Sequence, residues 1–564
     1  MKNSLGGIDM TEKVAFTVAE AIVKELVAAE VEAVYGIVSI HNMPIIDAIY
    51  REGSIRIVTA RGESGAVNMA DAYARATGKM GVVITSTGTG AGNTAGSLAE
   101  SWNASTPLLH ITGEADSMTI GLDKRYIHEA KDQQKMMEGV SKSSYLLKDP
   151  KQITPLLRKA IQETTTVPCG PVTISIPTNF QPQIIPKTQL IDVQRWATDS
   201  SVQLPSDVVE LISKAKRPVV WAGHGVVKAG GSEQLRQLVD QIKPAILTSE
   251  SAKGVVDETH PLCIGNFVAT PQVKELVAKS DLLLSVGVRF RGDQTFNWEM
   301  DIPENHIHID LNPEASNRNF DSLYTLVGDA KAVLTAVNEA LAQEDVSVDE
   351  AYTKEVEAVR EAVQNDLRST IGPYGDIANK MNQQLSKDTI LLTDVTIPGY
   401  TWGNKLVEIH EPRNYQYVAG GGIGQGLPMA IGAQIGQPDK DVVLIAGDGG
   451  FMVNAGEMIT AIEENAPVKV LLFDDGGYGI LRYYQEAAYG RRTAVDLKNP
   501  NFVDMAKSMG FEAEKVSSVE AFEAGLERAL ASDQPYMVVV DVEAIGILEY
   551  EDSPEYIQSF HPRT

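Results

Sequence analysis

Short apolar runs alternate along the chain with longer amphipathic ones. In the first third, Val34–Val38, Ile55–Thr59, Gly81–Thr85 and Pro107–Thr112 read as buried strands, and Pro171–Ile176 closes the series. Between them, Ser64–Ala76 and Gly92–Asn103 read as helices. Strands alternating with helices in this way predict a parallel, doubly wound sheet. The pattern then recurs twice. Pro218–Ala222, Pro244–Thr248, Leu282–Val286 and His306–Asp310 form a second series. Thr389–Val395, Val442–Ala446, Val468–Phe473 and Tyr536–Val542 form a third. A stretch rich in Pro, Gln and Thr near Pro177–Pro186 reads as a linker, and an acidic helical run from Val346 to Asn365 leads out of the second series. The expected fold class is α/β, with three doubly wound parallel-sheet domains at 10–185, 195–345 and 370–550.

Composition narrows the function classes. With 564 residues and 43% hydrophobic content, several domains with ordinary cores can form. The balance of 49 Lys and Arg against 75 Asp and Glu gives a net charge of −26 with no basic block, which disfavours nucleic acid as a partner. Cys169 and Cys263 lie far apart without metal-ligand spacing and read as buried thiols in a reducing compartment. The N-terminal MKNSLGGIDMTEK lacks the apolar core of a secretory signal, and no run of about 18 apolar residues predicts a membrane span. The expectation is a cytoplasmic protein acting on small molecules.

Candidate chemistry concentrates in the third series. Gly447-Asp448-Gly449 follows the run Val442–Ala446, and Asp474-Asp475-Gly476-Gly477 follows Val468–Phe473. Consecutive parallel strands end at one edge of the sheet, because the crossover helix returns the chain to its starting side. Asp448 and Asp475 are thereby expected together at the carboxyl edge, where open α/β sheets bind ligands. Two hard oxygen donors beside glycine-rich turns suit Mg²⁺ holding a diphosphate. The plain alternative is two unrelated Asp-Gly turns.

This arrangement resembles the cofactor signature of the thiamine diphosphate enzymes, in the branch of acetolactate synthases and benzaldehyde lyases. The resemblance covers most of the chain and implies pyrimidine-binding, central and diphosphate-binding domains. It implies that Asp448, Asp475 and the Gly477 carbonyl bind Mg²⁺, with Asp474-Asp475 standing where Asn-Asp or Asn-Asn is usual. Backbone groups at Gly449, Gly450 and Tyr478 are the implied diphosphate contacts. The segment Arg61-Gly62-Glu63-Ser64-Gly65-Ala66, with MADAYARATGK after it, resembles the region of the family's catalytic Glu. Glu63 is thus the implied acid toward the aminopyrimidine; otherwise it is a helix N-terminal Glu in a favourable dipole contact. Gly420–Pro428 resembles the segment that bends the cofactor, with Ile423 as the wedge and the Gly421 carbonyl as acceptor of the amino group.

Substrate-side residues follow from the same resemblance. The loop Tyr35–Pro44 carries Ile40 and His41, and His41 matches an active-site His of benzaldehyde lyases. In Tyr126-Ile127-His128-Glu129-Ala130, His128 stands where acetolactate synthases place a substrate-facing Gln. Two imidazoles near one reacting carbon could exchange protons near neutral pH or hold a carboxylate; the plain alternative for each is a surface or core histidine. Ser86 occupies the position of a catalytic His of benzoylformate decarboxylases, and His110 reads as structural. Ile480 and Leu481 are expected as pocket walls and Arg482 as a carboxylate contact. Ala222-Gly223-His224-Gly225 and Val288-Arg289-Phe290-Arg291 fall where acetolactate synthases contact FAD. Most members of the family keep this domain without a flavin, so FAD is the lesser expectation.

The implied activity is cleavage and formation of carbon–carbon bonds on a 2-oxo acid or acyloin. Simple decarboxylation to an aldehyde and hydrolysis of a cyclic 1,2-dione stay open as alternatives, as does a catalytically silent cofactor-binding paralogue. A nicotinamide dehydrogenase shares the sheet class, but Tyr35–His41 lacks the required glycine turn. The resemblance also implies a homodimer or homotetramer with active sites at the subunit interface.

Overall fold

The computed structural model describes residues 15–186, 202, 204–346 and 348–548. Within them the chain forms three six-stranded sheets in which every pairing is parallel, plus one two-stranded antiparallel ribbon. Helices cover the sheets on both faces. The strands Val442–Gly447 and Lys469–Asp474 are buried along nearly their whole length, which explains their unbroken apolar sequence.

In the first sheet the order is Arg56–Thr59, Ala33–Gly36, Gly81–Thr85, Leu108–Glu114, Pro171–Pro177, Ser143–Leu146. In the third it is Tyr415–Tyr417, Ile390–Thr393, Val442–Gly447, Lys469–Asp474, Tyr536–Asp541, Glu512–Val516. Counted within each unit, both orders are 2-1-3-4-6-5. The middle sheet runs Cys263–Gly265, Ala245–Thr248, Pro218–Ala222, Leu282–Val286, His306–Asp310, Tyr324–Val327, which is the order 3-2-1-4-5-6 of nucleotide-binding sheets. The outer units are therefore topological copies of each other, and the middle one is a different sheet.

Corresponding helices of the two outer units pack together. Glu63–Thr77 and Gly426–Gly436 each follow the second strand of their unit. A β-carbon on Gly432 would lie 2.0 Å from the Met69 carbonyl oxygen, so only a bare Cα permits this approach. Tyr35, Val67 and Met69 share one apolar core with Leu427, Ala430 and Val470. A buried charge cluster seals the same seam. Arg75 pairs with Asp71 at 2.6 Å and Glu100 at 3.1 Å, and it donates to the Tyr417 carbonyl at 2.7 Å.

Several elements differ from the sequence expectation. The stretch expected as a linker from Pro177 is the end of the first unit, because Ile184–Pro186 pairs antiparallel with Ala15–Thr17. The helix expected at Gly92–Asn103 is two helices, Thr89–Asn93 and Ala95–Ala104. The acidic helix runs Glu350–Ile371. Residues 10–14, 195–201, 203 and 549–550 of the expected domain spans, and the N-terminal segment read for a signal, lie outside the described residues.

Candidate active site

The third unit places its two acidic loops side by side. Val442–Gly447 and Lys469–Asp474 are adjacent strands, with Gly447 in register with Phe473. Asp448 and Asp475 therefore leave the same edge at neighbouring positions. Asp448 is buried, and its carboxyl is pushed above the usual range by burial, offset by a hydrogen bond from Asn499 and reinforced by Asp474. Asp475 is pushed up to about 7 by burial and then by the charge of Asp448. Buried carboxylates crowded in this way, Asp448 by Asp474 and Asp475 by Asp448, would be relieved by a divalent cation.

Among the described residues no three His, Cys, Asp or Glu side chains come together in a metal-binding arrangement, so the donor set needs a backbone oxygen. The Gly477 carbonyl oxygen could supply one, lying 3.2 Å from where a β-carbon on Gly449 would stand. The same point is 2.8 Å from the Tyr478 ring, so the turn is a close-fitting cradle. Two carboxylates and a carbonyl are hard oxygen donors suited to Mg²⁺. The expected donors thus fit the ion.

Three residues of this half were not anticipated in these roles. The Asn499 amide donates to Asp448 at 2.5 Å and to Asp474 at 2.7 Å, tying the two loops together. Asp394, buried at the end of Ile390–Thr393, accepts from the main-chain N–H of Gly424 at 3.2 Å and of Gly426 at 3.1 Å. It thereby shapes the turn that carries Ile423. Arg482, expected as a substrate contact, instead donates to the Asp475 carbonyl at 2.7 Å and the Gly476 carbonyl at 2.6 Å. It pairs with Asp475 at 3.3 Å and Asp496 at 2.7 Å, so its charge offsets the second carboxylate of the Asp-Asp pair. A long-range partner chosen by folding, such as Asn499 or Asp496, leaves no local pattern in the sequence.

Other expectations are also modified. The Tyr478 N–H is taken by the Val495 carbonyl and the Gly477 N–H by Asp475, so these two amides serve the loop itself. Ile480 turns against the third unit's core, whereas Leu481 is 46% exposed. Ile423 stands 39% exposed beside Gly450, and Gly421 takes a left-handed φ of 77° in open space.

The first unit gathers the second half. Glu63 opens its helix directly after Gly62 and accepts from the Asn93 amide at 3.1 Å. A β-carbon on Gly90 would meet both the Ser86 Cβ at 2.8 Å and the Glu63 carboxylate at 3.2 Å, so these two side chains close on one point. His41 is fully buried, and its Nδ1 lies 3.2 Å from the Ser86 hydroxyl. His128 Nδ1 lies 3.4 Å from the same hydroxyl, with the two rings 5.0 Å apart. Burial, and then the nearby charge of His128, hold His41 below the usual imidazole range, with the Ile127 carbonyl pulling the other way. Ile40 is 60% exposed on the rim. His110 is bonded to Thr85 and Thr173 inside the sheet, in keeping with a structural role.

Within one chain the halves are linked by Asn454. Its side chain donates to the Gly424 carbonyl at 2.7 Å and accepts from Ser64 at 3.3 Å. No hydrogen bond joins Glu63 itself to the Asp448 or Asp475 loop among the described residues. In the middle unit, Arg291 donates to the Ala419 carbonyl at 3.0 Å and Arg289 to the Asn103 carbonyl at 2.9 Å. His224 faces the Ser251 carbonyl at 3.3 Å.

Three α/β units, with acidic loops at the edge of one sheet and an acid near two imidazoles at the edge of its topological copy, have the architecture of a multidomain enzyme. The chain belongs to the thiamine pyrophosphate enzyme family: it matches the family's N-terminal TPP binding domain at residues 16–136, its central domain at 206–337 and its C-terminal TPP binding domain at 399–540. It is 30% identical to a protein of Methanocaldococcus jannaschii described as an acetolactate synthase large subunit, over 93% of this chain and 92% of that one. It is 30% identical to the acetolactate synthase large subunit of Corynebacterium glutamicum, over 93% and 86% of the two chains. A Pseudomonas aeruginosa protein described as a 2-ketoarginine decarboxylase is 29% identical over 92% and 93%. Among the described residues, no helix is long and apolar enough to cross a membrane.

Proposed function

We propose that this enzyme uses thiamine diphosphate and Mg²⁺ to break and form carbon–carbon bonds on a 2-oxo acid or acyloin, with carboligation as its main outcome. The observation that carries the reading is that Asp448 and Asp475 follow adjacent, in-register strand ends, in turns whose carboxylate and carbonyl oxygens are hard donors suited to a divalent ion. Asp448, Asp475 and the Gly477 carbonyl would hold the metal, with Gly449 and Gly450 beside the diphosphate. Ile423 and the Gly421 carbonyl would set the bend of the cofactor. When bound, the thiazolium serves as the electron sink for the carbanion left by bond cleavage.

The chain's own groups supply orientation and protons. Glu63 would share a proton with a ring nitrogen of the cofactor. Asn93 orients its carboxylate, and the helix beginning at Glu63 fixes its direction. His41 and His128, with their rings 5.0 Å apart, would govern proton delivery to the reacting carbon. Protonation there favours simple decarboxylation, the second reading, which the similarity to a decarboxylase also supports.

We infer further that two copies complete each site. Ile40, Ile127, Ile423 and Leu481 are all exposed around the two halves, an arrangement suited to cover by a second subunit. The direct test incubates the protein, thiamine diphosphate and Mg²⁺ with a panel of 2-oxo acids and acyloins, and identifies products by mass spectrometry. Glu63→Gln should lower turnover about 10²- to 10⁴-fold while Mg²⁺ binding persists. Absence of any product from the wild-type protein across the panel would refute the activity.

A further inference from the structure

We propose that Ser86 couples His41 and His128 into one proton-transfer pair, making it a positioning residue for both imidazoles. The inference rests on the reading above only in placing the pair beside the reacting carbon; the coupling itself stands on geometry. Ser86 follows the strand Gly81–Thr85 at the carboxyl edge and is buried. Its carbonyl accepts from Thr112 at 2.8 Å, which pins the main chain and aims the hydroxyl. That hydroxyl lies 3.2 Å from Nδ1 of His41 and 3.4 Å from Nδ1 of His128.

A serine hydroxyl carries one proton and two lone pairs. Bonded to two imidazole nitrogens, it donates to one and accepts from the other. One ring must then present N–H at Nδ1 and the other a lone pair. A proton leaving Nδ1 of His128 for the serine oxygen is matched by the serine proton passing to Nδ1 of His41. The hydroxyl is restored, and one positive charge has moved from an exposed ring to a fully buried one.

The backbone holds this arrangement in place. His128 takes a left-handed φ of 63°. Its carbonyl oxygen would lie 1.6 Å from a β-carbon on Gly88, so the strap carrying His128 is seated on a bare Cα. On the other side, the carbonyl of His41 accepts from Gln181 at 2.6 Å. The titratable groups facing His41 are His128 and Tyr126, both on the segment between Glu114 and Gln133. Glu129 on that segment accepts the Tyr126 N–H at 2.9 Å. Gly113, which approaches His41 from Leu108–Glu114, carries no side chain to titrate.

The test uses full-length protein loaded with thiamine diphosphate and Mg²⁺. Histidine ¹⁵N resonances are followed against pH in the wild type, Ser86→Ala and Ser86→Thr. In the wild type the two histidines should titrate together in two shared steps. In Ser86→Ala the hydrogen-bonded part of the coupling should be lost, leaving only the repulsion between rings 5.0 Å apart, so the separation between the two steps should change measurably, and Ser86→Thr should restore it. Independent titration in the wild type, or curves unchanged by Ser86→Ala, would overturn the proposal. This readout does not require turnover, so it still decides the coupling if no substrate is found. Where turnover is found, Ser86→Ala should shift the ratio of protonated to ligated product several-fold at unchanged KM. An unchanged ratio would overturn the pair's part in product choice.

Discussion

The carboxylate of Glu457 accepts from the main-chain N–H groups of Arg61 and Gly62 at 3.0 Å. Glu457 belongs to the third unit, yet these amides immediately precede Glu63 in the first. Burial raises the Glu457 carboxyl above its usual range, partly offset by Thr460 and these amides, so the interaction is made in a dry seam. Its loss frees the turn that aims Glu63, and displacement of a catalytic group by about 1 Å can cost on the order of 10²-fold in rate. Glu457→Ala is therefore expected to lower kcat by roughly tenfold or more, with Mg²⁺-dependent cofactor binding little changed in titration calorimetry. A variant with wild-type kcat would remove Glu457 from this role. Little of it was legible beforehand: Glu63 stood out through its neighbours, whereas Glu457, Asp394 and Asn499 act through partners far away in the chain. Ser86 was noticed only for the histidine it does not carry.

Among the elements, the crossing of helices Glu63–Thr77 and Gly426–Gly436 bears the most weight. At Gly432 the helix backbones touch, and overpacking at such a site costs about 1–3 kcal/mol. Gly432→Ala should lower the denaturant midpoint by a corresponding amount; an unchanged midpoint would mean the helices separate freely. The strands of the sheets divide by position. Interior strands such as Val442–Gly447 are apolar throughout and were readable. Ser143–Leu146, Cys263–Gly265, Tyr324–Val327, Tyr415–Tyr417 and Glu512–Val516 were not, and all five lie at sheet edges. An edge strand has a neighbour on one side only and is short, so polar residues such as Glu512 and Lys515 are tolerated and the pattern fades.

Across the whole molecule, exposed apolar rims and buried histidines make testable demands. Gel filtration should show an assembly of at least two chains; an active monomer would contradict the shared-site reading. Burial holds His306 and His308 at about 4, against an ordinary value of 6.5. The unfolded chain then binds protons between those values while the folded chain does not. Stability is lost as pH falls from 6.5 to about 4, at up to about 1.4 kcal/mol per pH unit for each ring. Raised carboxyls such as Glu258 and Asp394 act in the opposite sense, so the effect is read as a difference. His308→Gln should flatten the acid limb of a Tm-versus-pH curve relative to wild type; parallel curves would exclude it.

By itself the sequence determined the three α/β units, the strand ends that carry Asp448 and Asp475, and the helix that opens at Glu63. These depend on apolar runs and on turns a few residues long, which local composition encodes. Only the tertiary structure decided that the outer units are topological copies sharing a core, that Arg482 serves Asp475, and that one serine hydroxyl lies between two histidines. Arg482 and Asp475 are seven positions apart and the other partners tens to hundreds, but in each case the partner is selected by packing in three dimensions.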